Sequence, residues 1–158
     1  VHKAKELQYH TKMINSGRYV NDSMGRYIGK KVVKKIISQG KNILGAHVLV
    51  MGMTFKENVS DIRNSKVADI INEFKDFGAE VDVMDPFASP LEVLQEYGIR
   101  LVERPGKKYD AVVVAVAHTT YLKLDESYFM SITNEHAVLA DVKGVYRGSI
   151  HQMIYWSL

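Results

Sequence analysis

Two basic side chains in one polar loop are the first candidates for chemistry. Lys56 and Arg63 lie between an apolar run and a predicted helix. A lysine supplies a mobile positive charge and an arginine a bidentate fork, and both suit a phosphate or diphosphate. The helix N-terminus adds free N–H groups and positive potential. The loop is therefore a candidate anion site. An equally open interpretation pairs Arg63 with Asp61 or Asp85 and leaves Lys56 solvated.

Two further polar residues follow predicted strands. Asp85 lies where dinucleotide-binding proteins often place a carboxylate against a ribose, but Pro86 comes next, so a turn or cap role is the alternative. His118 would face the same edge of the sheet and could contact a ligand or transfer protons. We favour a loop or interface role for His118. Because the six histidines lack the spacing of a helical ligand pair, no metal site is predicted.

Several classes of chemistry are excluded or disfavoured. The 158 residues include no cysteine, which rules out a cysteine nucleophile, disulfides and thiolate zinc sites within them. The loop that carries Lys56 is too long and too poor in glycine for a dinucleotide fingerprint, and it is not a P-loop. No apolar run approaches the length of a bilayer span, and no secretory pattern stands at the start. We expect a cytoplasmic location and no membrane partner.

Charge divides the chain into two regions. Residues 1–41 contain ten Lys/Arg and two Asp/Glu, whereas residues 42–158 contain eleven and sixteen. The basic region is predicted to be a helical arm with a solvated face or an acidic protein partner. Nucleic acid is not expected, because no recognition motif accompanies the charge. We predict two parts, a helical arm over residues 1–41 and an α/β domain over residues 42–158.

The elements that must position these residues follow from periodicity. A long amphipathic helix is predicted to start at the caps Asn21–Ser23 and to stop at Gly40. Beyond it, short apolar runs alternate with helical patterns, as in a doubly wound α/β fold. The predicted strands are Val48–Met51, Val81–Met84, Ile99–Val102, Ala111–Ala117, Val138–Val142 and the edge segment Met153–Leu158. The expected fold class is α/β, with a Rossmann-like, mainly parallel five- to six-stranded sheet preceded by the long helix.

Several of these segments together resemble one known family. The segments Gly52–Asn58 (GMTFKEN) and Asp61–Ser65 (DIRNS) are similar to the first strand-loop-helix unit of the C-terminal domain in UDP-glucose/GDP-mannose dehydrogenases. The resemblance extends to further segments in order along nearly the whole chain. These segments are Gly17–Gly25, Val83–Pro86, Ala115–His118, Asp141–Gly144 and Tyr155–Leu158. The details resemble the branch that oxidises UDP-N-acetylhexosamines for bacterial surface polysaccharide.

The resemblance implies roles for five residues. Thr54, Phe55 and Lys56 match loop residues that meet the nucleotide sugar. Arg63 matches an arginine that orders this loop or approaches the diphosphate. Lys143 lies near an arginine that relatives use against substrate, although a lysine cannot form the same bidentate contact. No catalytic residue matches.

The resemblance also implies what the chain lacks. Family members bind NAD on an N-terminal Rossmann domain, use a catalytic cysteine and form homodimers. Because the chain begins with Val1 and matches neither the NAD fingerprint nor the cysteine, we expect a fragment that binds a UDP-sugar without turning it over. The alternatives are a nucleotide-sensing module without an enzymatic parent and a purely structural or interaction domain.

Overall fold

The computed structural model describes residues 12–158, with side chains from residue 23 onward. Five parallel strands form one sheet in the order β2-β1-β3-β4-β5. The strands are β1 (His47–Met51), β2 (Glu80–Met84), β3 (Tyr109–Val114), β4 (Thr133–Asp141) and β5 (Ile154–Ser157). The helices are α1 (Lys12–Ser38), α2 (Val67–Asp76), α3 (Pro90–Tyr97), α4 (Glu126–Ile132) and a 3-10 turn at Tyr121–Lys123. The predicted doubly wound α/β fold is confirmed.

Both faces of the sheet are covered, as a parallel sheet requires. Alternate residues of each strand point to opposite faces. One face packs against α1, α2 and α3 around a core that includes Val50, Ile71 and Val113. The other packs against α4 and the 3-10 turn around Leu49 and Phe129. The helix α1 belongs to the first core, because its Ile28, Val32, Val33 and Ile36 are buried there.

The start of α1 differs from the sequence prediction. The helix runs through Asn21–Ser23, where we predicted its caps, and already includes Lys12. Asn, Asp and Ser cost only a few tenths of a kcal/mol in a helix interior, so a cap signal is easily overridden. The predicted end is confirmed, since Gly40 has φ of 75° and its N–H donates to the Ile37 carbonyl.

The predicted strand Ile99–Val102 is also wrong. Only one bridge forms there, between Val83 and Leu101, and the Val102 N–H donates to the Val83 carbonyl. Ile99 is buried against the core without strand pairing, so apolar content overestimated the strand. The strand predicted to reach Ala117 ends at Val114. The helix α4 lies in a segment for which the sequence analysis assigned no element.

Candidate functional site

The switch point of the sheet lies between β1 and β3, because β2 pairs with one side of β1 and β3 with the other. Ligands in open α/β sheets bind beyond the C-terminal strand ends at such a point. Gly52 closes β1 there with φ of 95°, and a Cβ at this position would lie 2.5 Å from the Val116 Cβ. Only glycine permits this close approach of the two strand ends.

A cavity of about 560 Å³ opens beside these strand ends. Its volume falls within the usual range for small-molecule sites. Its apolar wall comes from α1 and α2, and its rim comes from the loop after β1 and the turn after β4. The wall consists of Met24, Gly25, Ile28, Val67 and Ile70, and the rim includes Thr54–Glu57, Val142 and Lys143.

Four of the five predicted binding residues line this cavity. Thr54 is buried, and its hydroxyl donates to the Lys56 carbonyl at 3.0 Å. Phe55 is 59% exposed, and its N–H donates to the Asp61 carbonyl at 2.7 Å. Lys56 is exposed, and its ammonium makes no ion pair within the part of the chain whose side chains are described. The loop therefore fixes its backbone and leaves a lysine charge open at the rim.

Lys143 reaches the same cavity from the turn after β4. The buried Asp141 carboxylate shapes this turn by accepting N–H bonds from Gly144 and Tyr146 at 2.9 and 2.7 Å. The Lys143 ammonium lies 3.5 Å from a Glu57 carboxylate oxygen. The pKa of Glu57 is lowered by a backbone hydrogen bond and by Lys143, which together outweigh the effect of desolvation. Lys143 is therefore partly neutralised in this structure.

The first turn of α2 completes the site and contains a residue that sequence reasoning missed. Lys66 lines the cavity at the N-cap position of α2, next to Asn64 and Ser65. The Ser65 hydroxyl accepts the Val67 N–H at 3.3 Å, and Lys66 itself forms no side-chain cap bond. The positive end of the helix thus adjoins Lys56 and Lys143. The signal for Lys66 was its place just before the apolar stripe of α2.

Arg63 does not join the other four residues. Its guanidinium donates to both carboxylate oxygens of Asp61 at 2.9 Å, and its side chain is 80% exposed. This contact, with the Arg63 backbone N–H, lowers the pKa of Asp61 to about 2. Arg63 borders a second depression of about 480 Å³, which is also lined by Glu92, Gln95 and Glu96. Of the two open interpretations, the structure contains the pairing with Asp61.

Asp85 and His118 are buried beneath the loop. The side chains of both are fully buried, and the His118 Nε2 lies 3.0 Å from the Asp85 Oδ2. Asp85 also accepts N–H bonds from Met53, Thr54, Phe87 and Ala88. Burial opposes ionisation, but the hydrogen bond with His118 and the bonds from these N–H groups hold the pKa of Asp85 well below its usual range. Asp85 therefore has the turn role, since Ser89 and not Asp85 caps α3, and His118 has the loop role that we favoured.

The chain is similar in sequence to one family of known proteins. The sequence profile of the "UDP-glucose/GDP-mannose dehydrogenase family, UDP binding domain" matches residues 49–148. The chain is 39% identical over 143 residues to the UDP-N-acetyl-D-glucosamine 6-dehydrogenase of Pseudomonas aeruginosa, covering 90% of this chain and 34% of that protein. It is 37% identical over 145 residues to the enzyme of the same name from Salmonella typhi, covering 91% and 34%.

Solved structures agree with the sequence comparison. The native structure of the UDP-N-acetyl-mannosamine dehydrogenase Cap5O from Staphylococcus aureus superimposes with a TM-score of 0.73 at 27% identity. That match covers 94% of this chain and 34% of the Cap5O chain. The chain thus spans about a third of the length of the curated relatives it matches.

Proposed function

Because the chain belongs to the UDP-glucose/GDP-mannose dehydrogenase family through its UDP binding domain, we propose that the cavity between α1, α2 and the loop Thr54–Glu57 binds the nucleotide part of a UDP-sugar. One observation carries the proposal: Lys56, Lys143 and the first turn of α2 converge on a single cavity with an apolar wall. Cationic groups beside an apolar surface suit a diphosphate joined to a base and two sugars.

The contacts of the loop suggest a division of roles. Lys56 is the main diphosphate ligand, since it makes no competing ion pair within the described side chains. Lys143 contributes after it exchanges its contact with Glu57 for a phosphate oxygen. Phe55 offers an exposed aromatic face to the base or sugar. Thr54 holds the backbone of the loop through the Lys56 carbonyl, and Arg63 orders the loop from outside through Asp61.

The parent protein would be an NAD-dependent UDP-sugar 6-dehydrogenase. Its relatives named UDP-N-acetyl-D-glucosamine 6-dehydrogenase support an N-acetylhexosamine as the sugar. NAD would bind to a separate N-terminal domain of a cytoplasmic homodimer that serves capsule or surface polysaccharide synthesis. Residues 1–41 would form the helical arm toward that domain, and residues 42–158 the nucleotide-sugar-binding unit. Remote binding energy from this unit would position the sugar for oxidation elsewhere.

Ligand-dependent melting tests the proposal. UDP and UDP-N-acetylglucosamine should raise the melting temperature of the 158-residue chain, whereas NAD should not. A ligand at a hundredfold excess over its dissociation constant adds about 2.7 kcal/mol to the free energy of unfolding. Inorganic diphosphate serves as the matched control for a purely electrostatic effect. No shift with any UDP compound at millimolar concentration would refute UDP binding by this chain.

A further inference from the structure

The buried pair of His118 and Asp85 lies outside the proposed cavity but beneath its rim. Asp85 follows β2 and His118 follows β3, so the pair bridges two strand ends on either side of β1. Phe87 and Tyr121 enclose the imidazole, with ring centroids 4.8 and 5.5 Å from that of His118. Neither member of the pair lines the cavity. The role of this buried pair therefore depends on the loop residues to which it is hydrogen-bonded.

The pair holds both ends of the tripeptide Phe55–Glu57. At one end, the Asp85 Oδ2 accepts the N–H groups of Met53 and Thr54 at 2.6 and 3.1 Å. At the other end, the His118 Nδ1 accepts the Asn58 N–H at 3.0 Å. The tripeptide between these anchors supplies three rim side chains of the cavity.

A second contact strengthens the far anchor. The Thr119 N–H donates to the Asn58 side-chain oxygen at 2.9 Å. His118 thus contacts the backbone of Asn58, and Thr119 contacts its side chain. Asn58 has φ of 59°, a left-handed conformation that a non-glycine residue adopts uncommonly. The conformation of the rim thus depends on the contact with His118.

The hydrogen positions on the imidazole follow from its neighbours. Nδ1 accepts the Asn58 N–H, so the ring hydrogen lies on Nε2. Nε2 donates to the Asp85 Oδ2 at 3.0 Å and lies 3.3 Å from the Thr54 hydroxyl oxygen. Asp85 therefore fixes the tautomer that Asn58 requires. One nitrogen faces the carboxylate, and the other faces the loop.

We propose that His118 is a positioning residue that acts through Nδ1 on Asn58 and so sets Phe55 and Lys56 at the rim for a nucleoside diphosphate ligand. Asp85 supports this role by orienting the imidazole. The ligand part of the inference rests on the proposed function. The ordering of the loop is a property of the chain itself, and it is measurable without ligand.

Two substitutions separate the two nitrogens. In His118→Asn, the side-chain oxygen can take the place of Nδ1 and accept the Asn58 N–H, but nothing reaches Asp85. In His118→Gln, the side-chain nitrogen can take the place of Nε2 and donate to Asp85, but the Asn58 N–H loses its acceptor. Each variant removes one of two bonds, and we expect the larger loss of melting temperature in His118→Asn, which loses the bond to the buried carboxylate. If His118 had only a structural role, the UDP affinity of each variant would follow its melting temperature.

Amide hydrogen exchange and UDP titration provide the readouts. We expect His118→Gln to accelerate exchange at the Asn58 amide and to weaken UDP binding by up to about tenfold, near the upper end of the effect of one lost hydrogen bond. His118→Asn should retain slow exchange at Asn58 and an affinity within about threefold of the parent chain. Exchange in β3 should follow the melting temperature of each variant. Equal exchange at Asn58, or affinities that simply follow the melting temperatures, would overturn the proposal.

Substitutions at the exposed Asn58 provide a second test that does not depend on whether variants of the buried His118 fold. Asn58→Gly keeps the backbone N–H and tolerates the left-handed conformation, but it loses the side-chain oxygen that accepts the Thr119 N–H. Asn58→Asp keeps an oxygen acceptor for the Thr119 N–H. Faster exchange at Thr119 in Asn58→Gly alone, with weaker UDP binding, supports the positioning role, and unchanged exchange in both contradicts it. If the parent chain does not bind UDP, the proposed function fails, while the exchange data still decide whether His118 orders the loop.

Discussion

Two depressions border the loop after β1, and they differ in chemistry more than in size. The inner cavity has a volume of about 560 Å³ and the outer depression about 480 Å³. The inner one combines Lys56, Lys66 and Lys143 with an apolar wall, whereas the outer one is bordered by Glu92, Glu96 and the Arg63–Asp61 pair. Of these two depressions, the inner one has a lysine, Lys56, without an ion pair among the described side chains, whereas the arginine at the outer one is already paired. Basic residues in one loop need not serve one site.

The largest expected effect contrasts two carboxylates of lowered pKa. Asp85 is buried under the inner rim, and Asp61 is exposed beside the outer depression. We expect Asp85→Asn to lower the free energy of unfolding at neutral pH by roughly 2–4 kcal/mol, because several buried N–H donors lose a charged acceptor. Asp61→Asn should cause no measurable change, since exposed ion pairs contribute little. Urea unfolding of both variants measures the difference.

The stabilising effect of Asp85 should depend on pH in one direction. The folded pKa of Asp85 lies below its unfolded value of about 3.9. Its contribution is therefore complete above that pH and is lost as the pH falls through the folded pKa. The parent chain should lose stability below about pH 4 more steeply than Asp85→Asn does. An equal loss in Asp85→Asn would show that other groups control acid unfolding.

The next effect tests the wall of the inner cavity. Gly25 lies where α1 crosses α2, and a Cβ there would come within 2.7 Å of the Asp69 Cβ and 2.8 Å of the Lys66 carbonyl oxygen. Gly25→Ala should therefore separate the helices at a cost of roughly 1–3 kcal/mol and weaken UDP binding. Gly106→Ala, where nothing lies within 4 Å, is the matched control. Unchanged melting and affinity in Gly25→Ala would mean that the crossing adjusts freely.

A third prediction compares the two basic residues of the loop directly. We expect Lys56→Ala to weaken UDP binding by about 1–3 kcal/mol, the range for a charge-assisted contact. Arg63→Ala should change it by less than about 0.5 kcal/mol, because its guanidinium is already paired at an exposed position. Isothermal titration of both variants decides between the two depressions. A larger loss in Arg63→Ala would place the phosphates on the outer side.

The smallest effect concerns the contact between Glu57 and Lys143. Glu57→Gln should release Lys143 and remove a negative charge from the rim, so UDP binding should strengthen by about 0.5 kcal/mol. Lys143→Ala should weaken it by a similar amount. Glu96→Gln removes a comparable charge from the outer depression and serves as the control in the same titration. Weaker binding in Glu57→Gln would indicate that the carboxylate itself contacts the ligand.

Much of the fold could be predicted from periodicity alone. The apolar runs at Val48–Met51 and Val81–Met84 mark β1 and β2, because short apolar runs bounded by turn residues are typical of buried strands. The strand prediction for Ile99–Val102 was wrong, since a short apolar run indicates burial but does not show that the segment pairs with a strand. The helix start predicted at Asn21–Ser23 was wrong, because a cap stabilises a helix end by only about 1 kcal/mol and the continuing helix outweighs it.

The sequence by itself determined the α/β class and the family of this chain, because both depend on residue types at local spacing. The tertiary structure alone decided which way the loop side chains face. Lys56 and Arg63 are seven positions apart, yet the anchors at Asp85 and His118 place one on the inner cavity and leave the other paired outside. Those anchors are about thirty and sixty residues away along the chain, and only packing of the parallel strands brings them under the loop.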